Sequence, residues 1–137
     1  MAISFFELKR IKIGQPLKFI SFLCCLLLFS QSQPAWSHAL PTHAEPGAGT
    51  ACNIPPPHVH IWFDDPLEPG LCILRVHDRS GKPVDKKDCR VNPSNAKLLE
   101  VSLPPLPPGI YRVVWSVSSR DGHRTQGDYT FVIRSPD

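Results

Sequence analysis

The mature region of this 137-residue chain predicts an all-β fold, a sandwich or barrel of about seven short strands. Three observations lead there. Beyond residue 37 the sequence carries 14 prolines and 7 glycines in 100 residues, so no stretch sustains a helical period free of breakers. Apolar residues instead alternate with polar ones in short runs. Turn residues separate those runs at close intervals, and no long helix-linked parallel strands occur, which argues against an α/β fold.

The elements follow in order. His38 to Glu45 reads as a first strand, ended by Pro46-Gly47. Asn53 to Pro57 is a proline-rich turn. His58-Val59-His60-Ile61-Trp62-Phe63 alternates, with Val59, Ile61 and Phe63 on the core face. Asp64 to Gly70 is a loop. Leu71 to His77 is a strand, closed by the turn Asp78-Arg79-Ser80-Gly81-Lys82. Val84 to Val91 returns irregularly. Leu99, Val101 and Leu103 mark another strand, and Pro104 to Gly109 forces a tight connection. Tyr111, Val113, Trp115 and Val117 alternate through the centre of the core. Arg120 to Gln126 is a polar loop, and Tyr129, Phe131 and Ile133 close the domain.

The first 37 residues read differently. Lys9, Arg10, Lys12 and Lys18 stand against Glu7, followed by eleven uncharged residues from Phe19 to Phe29, and a polar stretch ends in Ala35-Trp36-Ser37. That is a basic region, an apolar region and a small-residue cleavage site: a secretory signal peptide over 1–37, leaving a domain at 38–137. The apolar run is short for a membrane span, which needs about 20 residues. The whole chain has a formal charge of +3, but four Lys/Arg and one Glu lie in the leader, so the mature part holds eleven of each sign. No basic patch points to nucleic acid and no polybasic run to a membrane surface. Export implies an oxidising compartment for Cys52, Cys72 and Cys89. Their odd number leaves one thiol over. Cys72 and Cys89 flank the Ser80-Gly81 turn almost symmetrically, which would set them across a hairpin, although the pairing stays open.

Cleavage after Ser37 would make His38 the first residue of the mature protein. An N-terminal histidine offers its α-amine and its imidazole Nδ1 to one metal ion. The amine, with an ordinary pKa of about 7.7–8.0, deprotonates at little cost near neutral pH. Ser119-Arg120-Asp121-Gly122-His123 supplies the other candidates, a carboxylate oxygen from Asp121 and a third nitrogen from His123. Three nitrogens and one oxygen in a tetragonal plane suit Cu(II). Taken without His38, Asp121-Gly122 is ordinary turn chemistry and His123 a solvated loop histidine. His43, at odd spacing from His38, reads as a surface residue or one that supports a ligand from behind, and not as a ligand itself. His58 and His60 share the outward face with Trp62 and at this spacing can chelate a divalent metal, although an exposed half-polar strand face is the simpler reading. His77 has no assigned role and Trp115 reads as core. No Ser/His/Asp motif context, phosphate-binding glycine loop or H-E-x-x-H occurs.

Together these residues form a pattern. His38-Ala39-Leu40 with Ala44-Glu45-Pro46 and Gly49, then Val59-x-Ile61-x-Phe63-x-x-Pro66-Leu67-Glu68, then Pro107-Pro108-Gly109-x-Tyr111-Arg112-Val113-x-Trp115 and Ser119-x-Asp121-Gly122-His123-x-x-x-Gly127 resemble the CopC-type copper-resistance proteins over nearly the whole mature region. The resemblance implies a periplasmic Greek-key β-sandwich or barrel, cupredoxin-like or immunoglobulin-like, that binds Cu(II) in copper tolerance, buffering or delivery. It maps the metal ligands onto His38, Asp121 and His123, one Cu(II) per mature chain, and implies a CopD-type inner-membrane partner. Asp65 stands where some members place an acidic side chain near copper. A thioether Cu(I) site of clustered methionines, found in some members, has no counterpart, since Met1 is the only methionine. The chain reads as a monomer, and as a binding protein and not an enzyme, since a 100-residue domain with few exposed aromatics offers little platform for a polysaccharide. The alternative is a copper-dependent oxidase or oxygenase using the same histidine chelate.

Overall fold

The computed structural model describes residues 39–135. The leader and His38 lie outside them. Within the described residues there is no helix, and the chain forms eight strands in two sheets. They are β1 (Pro41–Glu45), β2 (Ala51–Cys52), β3 (His58–Phe63), β4 (Ile73–His77), β5 (Arg90–Asn92), β6 (Asn95–Ser102), β7 (Gly109–Ser118) and β8 (Arg124–Ile133). The first sheet runs β1-β3-β6-β5 and the second β2-β8-β7-β4. All pairings are antiparallel except β2 with β8, where Ala51 lies opposite Val132 and Cys52 opposite Ile133.

The alternation read from the sequence sets the inner faces. β3 buries Val59, Ile61 and Phe63 and turns His58, His60 and Trp62 outward. Leu99 and Val101 lie beside them on β6, and Leu74 and Val76 are buried from β4 in the other sheet. The long pair β7–β8 contributes Tyr111, Val113, Trp115, Val117, Phe131 and Ile133. These side chains interdigitate between the two sheets, the packing by which a β-sandwich removes one face of each sheet from water. Phe63 and Trp115 meet edge to face at 5.4 Å. Trp115 lies opposite Gly127 in the register, and a Cβ built on Gly127 would come within 2.7 Å of Cζ2 of Trp115. The glycine is therefore the floor under the indole. At the other end of β7 the Tyr111 hydroxyl donates to the Pro107 carbonyl at 2.7 Å, tying down the proline-rich connection.

Three elements depart from expectation. The parallel strand β2 has only two residues and no alternation to announce it. The polar loop before the last strand is shorter than read, because β8 already begins at Arg124. The segment after the Asp78–Lys82 turn pairs with β4 only briefly, through Val84 N–H donating to the Val76 carbonyl at 2.8 Å and a bridge between His77 and Pro83. It then crosses to the other sheet as β5. Asp85, its side chain fully buried, directs that crossing: it accepts from the Val76 and Lys87 amides and from Arg75 Nη1, each at 3.0 Å.

The crossing corrects the cysteine geometry. Cys72 precedes β4 and Cys89 precedes β5, in different sheets and not across a hairpin. The two are neighbours all the same, with Cys89 Sγ 3.9 Å from the Cys72 carbonyl oxygen. Among the described residues Cys52, Cys72 and Cys89 are free thiols. No helix among the described residues is long and apolar enough to cross a membrane.

Candidate metal centre

The topology brings four strand ends to one end of the sandwich: the start of β1, the end of β3, the end of β7 and the start of β8. The β7–β8 connection at that end is Ser119-Arg120-Asp121-Gly122-His123. It is a tight loop because Ser119 N–H donates to the His123 carbonyl at 2.9 Å and Gly122 N–H to the Ser119 carbonyl at 2.9 Å. Gly122 has φ of 91°, a left-handed value that glycine takes without steric cost. On either side of this glycine, Asp121 Oδ2 and His123 Nδ1 are 3.1 Å apart.

Asp121 is held by its neighbours. The buried Ser119 hydroxyl hydrogen-bonds to Asp121 Oδ1, and the His123 amide donates to the same oxygen at 3.3 Å. The Ser119 hydrogen bond, followed by the His123 contacts, holds the Asp121 carboxyl down to about 2. Its side chain is therefore an anion at any physiological pH, with Oδ2 turned toward the imidazole. Both side chains are open to solvent, 38% for Asp121 and 47% for His123. An ionised carboxylate beside an imidazole, both accessible, is a donor pair fit for a borderline divalent cation.

The loop rests on the segment after β3. Arg120 N–H donates to the Pro66 carbonyl at 3.1 Å, Glu68 N–H to the Ser118 carbonyl at 2.8 Å, and Leu67 bridges Ser119. Asp65 and Asp121 line one small cleft of about 150 Å³ with Pro66, Ser119 and Arg120. Asp65 thus shares a cleft with Asp121.

His38 lies outside the described residues, but the residues that follow it are firmly placed. Ala39 is fully buried, and its carbonyl accepts from Thr125 Oγ1 at 2.6 Å. Leu40 N–H donates to Asp64 Oδ1 at 2.7 Å, and the Leu40 carbonyl accepts from Asp64 N–H at 3.0 Å. Thr125 stands two residues beyond His123, and Asp64 directly follows β3. Sequence reasoning missed Thr125, Asp64 and the part played by Ser119. Their one signal was position, each within two residues of a candidate ligand or a strand end.

The other histidines are elsewhere. His43 is exposed on β1, its Nε2 3.1 Å from Glu45 Oε1. His58 and His60 lie on the outer face of the first sheet. His77 ends β4. Among the described residues, no set of three or more His, Cys, Asp or Glu side chains stands ready to hold a metal ion.

Comparison with known proteins identifies the family of this fold. A family model described as the CopC domain matches residues 41–134. The protein YobA of Escherichia coli K12 is 32% identical over 100 residues, covering 72% of this chain and 81% of the relative. The copper transport protein CutJ of Bacillus subtilis is 31% identical over 115 residues, covering 82% of this chain; this chain spans only 21% of that relative's length. Among solved structures, CopC from Methylosinus trichosporium OB3b superposes with a TM-score of 0.63 at 28% identity, covering 70% of this chain and 93% of that one. PcoC, a methionine-rich copper resistance protein from Escherichia coli, gives 0.62 at 27% identity, covering 72% of this chain and 100% of its own. With the matched region spanning β1 to the end of β8, this chain belongs to the CopC family.

Proposed function

We propose that this protein is an exported, periplasmic Cu(II)-binding protein that buffers or delivers copper. The signal peptide is cut after Ser37. The α-amine and imidazole of His38, the Asp121 carboxylate and the His123 imidazole then hold one Cu(II) per mature chain. The observation that carries this reading is the clamp on Ala39, whose carbonyl is bound by Thr125, two residues from His123. A trans peptide keeps consecutive Cα atoms about 3.8 Å apart. Ala39 stands at the end of the sandwich that carries Asp121 and His123, and its covalent tie to residue 38 supports a site that His38, Asp121 and His123 share.

Membership of the family, and the copper transport and copper resistance for which its relatives are named, support copper as the cargo. The donor set supports the divalent ion: imidazole and amine nitrogens with a carboxylate favour Cu(II), whereas Cu(I) selects thiolates and thioethers. The single methionine is Met1, in the leader. The protein is a carrier and not an enzyme, acts as a monomer, and passes copper to or from a separate CopD-type inner-membrane protein.

The test is a Cu(II) titration of protein secreted with its own leader, its start first fixed by intact mass. We expect a mass beginning at His38 and one tightly held equivalent, with Asp121→Asn and His123→Ala each weakening it by tenfold or more, roughly the effect of losing one ligand contact. Unchanged affinity in both variants would remove Asp121 and His123 from the site.

A further inference from the structure

A second constellation of metal-binding side chains lies on the outer face of the first sheet, away from the Asp121 loop. His58 and His60 are two residues apart on β3 and so project from the same face. Their rings stack nearly parallel, 10° apart with centroids 5.5 Å from each other. The β3–β6 register sets His60 opposite Glu100, and the β5–β6 register sets Arg90 opposite the same residue.

Glu100 is an unusual carboxylate for an outer face, because its side chain is only 12% exposed. Arg90 Nε donates to Oε1 at 2.6 Å and Asn92 Nδ2 to Oε2 at 3.2 Å, while His60 Nε2 lies 3.7 Å from Oε2. Burial by itself would raise the carboxyl; the hydrogen bonds from Arg90 and Asn92 prevail and hold it below its ordinary value. Asp88, fixed by the Ser102 amide at 2.8 Å, lines the same groove, which encloses about 230 Å³. Two carboxylates against one guanidinium leave the groove one unit negative when both imidazoles are neutral, the form in which histidine binds metals. A carboxylate beside a ligating histidine fixes the orientation of its ring and raises its basicity.

We propose that His58 and His60 form a second metal site for a borderline divalent cation, Zn(II) or Cu(II), with both imidazoles as ligands and Glu100 orienting His60. Water completes the coordination shell, since no three-residue cluster converges there. The site is separate from the first. β3 runs from His58 to Phe63 toward the Asp121 end, a span of about 16 Å for a strand of this length. Nothing in this proposal depends on His38 or on the cleavage point, so either site can fail without the other.

The experiment uses the exported protein carrying Asp121→Asn and His123→Ala, which disables the first site. Zn(II) is titrated while the imidazole nitrogens are followed by NMR. The site requires the His58 and His60 ring signals to move together and saturate at one equivalent. His58→Ala and His60→Ala should each lower the affinity roughly tenfold or more, and Glu100→Gln should lower it less. A Cu(II) titration read by paramagnetic broadening of the same two rings decides which ion is preferred. His58 is exposed, so His58→Ala tests the site without disturbing the core. Rings that stay unmoved at equimolar Zn(II), or affinity unaltered in His58→Ala, would overturn the proposal.

Discussion

Ser119 and Thr125 decide more about the centre than their types announce. Ser119 is the first cause of the low Asp121 pKa. A depressed carboxyl keeps its negative charge, and hence its capacity to bind metal, down to lower pH. Ser119→Ala should therefore bring the Asp121 carboxyl up toward its ordinary 3.8 and make bound copper leave at a higher pH during acid titration. Carbon-detected NMR of the carboxyl and the copper absorption band read the two effects on one sample. Thr125→Val keeps the shape of the side chain but removes the donor to Ala39. It should cost about 1 kcal/mol of stability, the usual net worth of one hydrogen bond, and weaken copper binding about tenfold. Full affinity in Thr125→Val would mean that the clamp does not position residue 38. The thiols make an independent test. Burial pushes the Cys89 thiol up to about 11 from an ordinary 9.0 and raises Cys72 as well. Since the thiolate is the nucleophile, alkylation of Cys89 at pH 8 should be slow and should accelerate toward pH 11, as followed by peptide mass spectrometry. The folded state favours the protonated thiol. Cys89 burial therefore contributes its full stability below pH 9, and the contribution declines as the pH rises toward 11.

At the scale of elements, two joints hold the site's scaffold. The β7–β8 pair carries the Asp121 loop on its tip, and within it the Trp115 indole lies over Gly127, leaving no room for a Cβ there. Gly127→Ala forces the indole or the strand to shift and should destabilise the fold by about 1–3 kcal/mol in thermal or urea unfolding, the range for overpacking a core. The other joint is Asp85, which turns the chain from one sheet to the other. Asp85→Ala leaves the buried Val76 amide without its acceptor and should cost about 1–3 kcal/mol. Strands whose alternation is strict were legible from sequence, β3 and β7 above all, because one face of each must be buried. β2 was not, because two residues hold no period. The β4-to-β5 crossing was not, because its cause is the set of hydrogen bonds around one aspartate and not a hydrophobic pattern. The hairpin expected for Cys72 and Cys89 failed for that reason.

For the whole molecule, the sandwich is a device for joining chain segments that are far apart in sequence. Thr125 and Ala39 are 86 positions apart and share a hydrogen bond, and Leu40 and Asp64 are 24 apart and share two. The sequence placed Asp121, Gly122 and His123 in one loop by adjacency alone, and their local geometry followed. That the start of β1 would meet that loop was implied only by family resemblance, since no pattern in composition or spacing carries a contact across 86 positions. The fold supplies the contact, and the side chain that makes it, Thr125, is neutral. The outer face of the first sheet offers the reverse case: His58 and His60 were visible as a pair from their spacing, while the buried Glu100 beneath them emerges only once β6 is aligned with β3.

The central claim is that the free amine of His38 binds the metal, and one measurement bears on it most directly. Protein exported with its native leader is loaded with one equivalent of Cu(II) and compared, by electron paramagnetic resonance, with the same protein carrying one extra residue before His38. The native form should give a three-nitrogen signal that is lost, with a large fall in affinity, in the extended form. The same spectrum and the same affinity in both forms would contradict the claim.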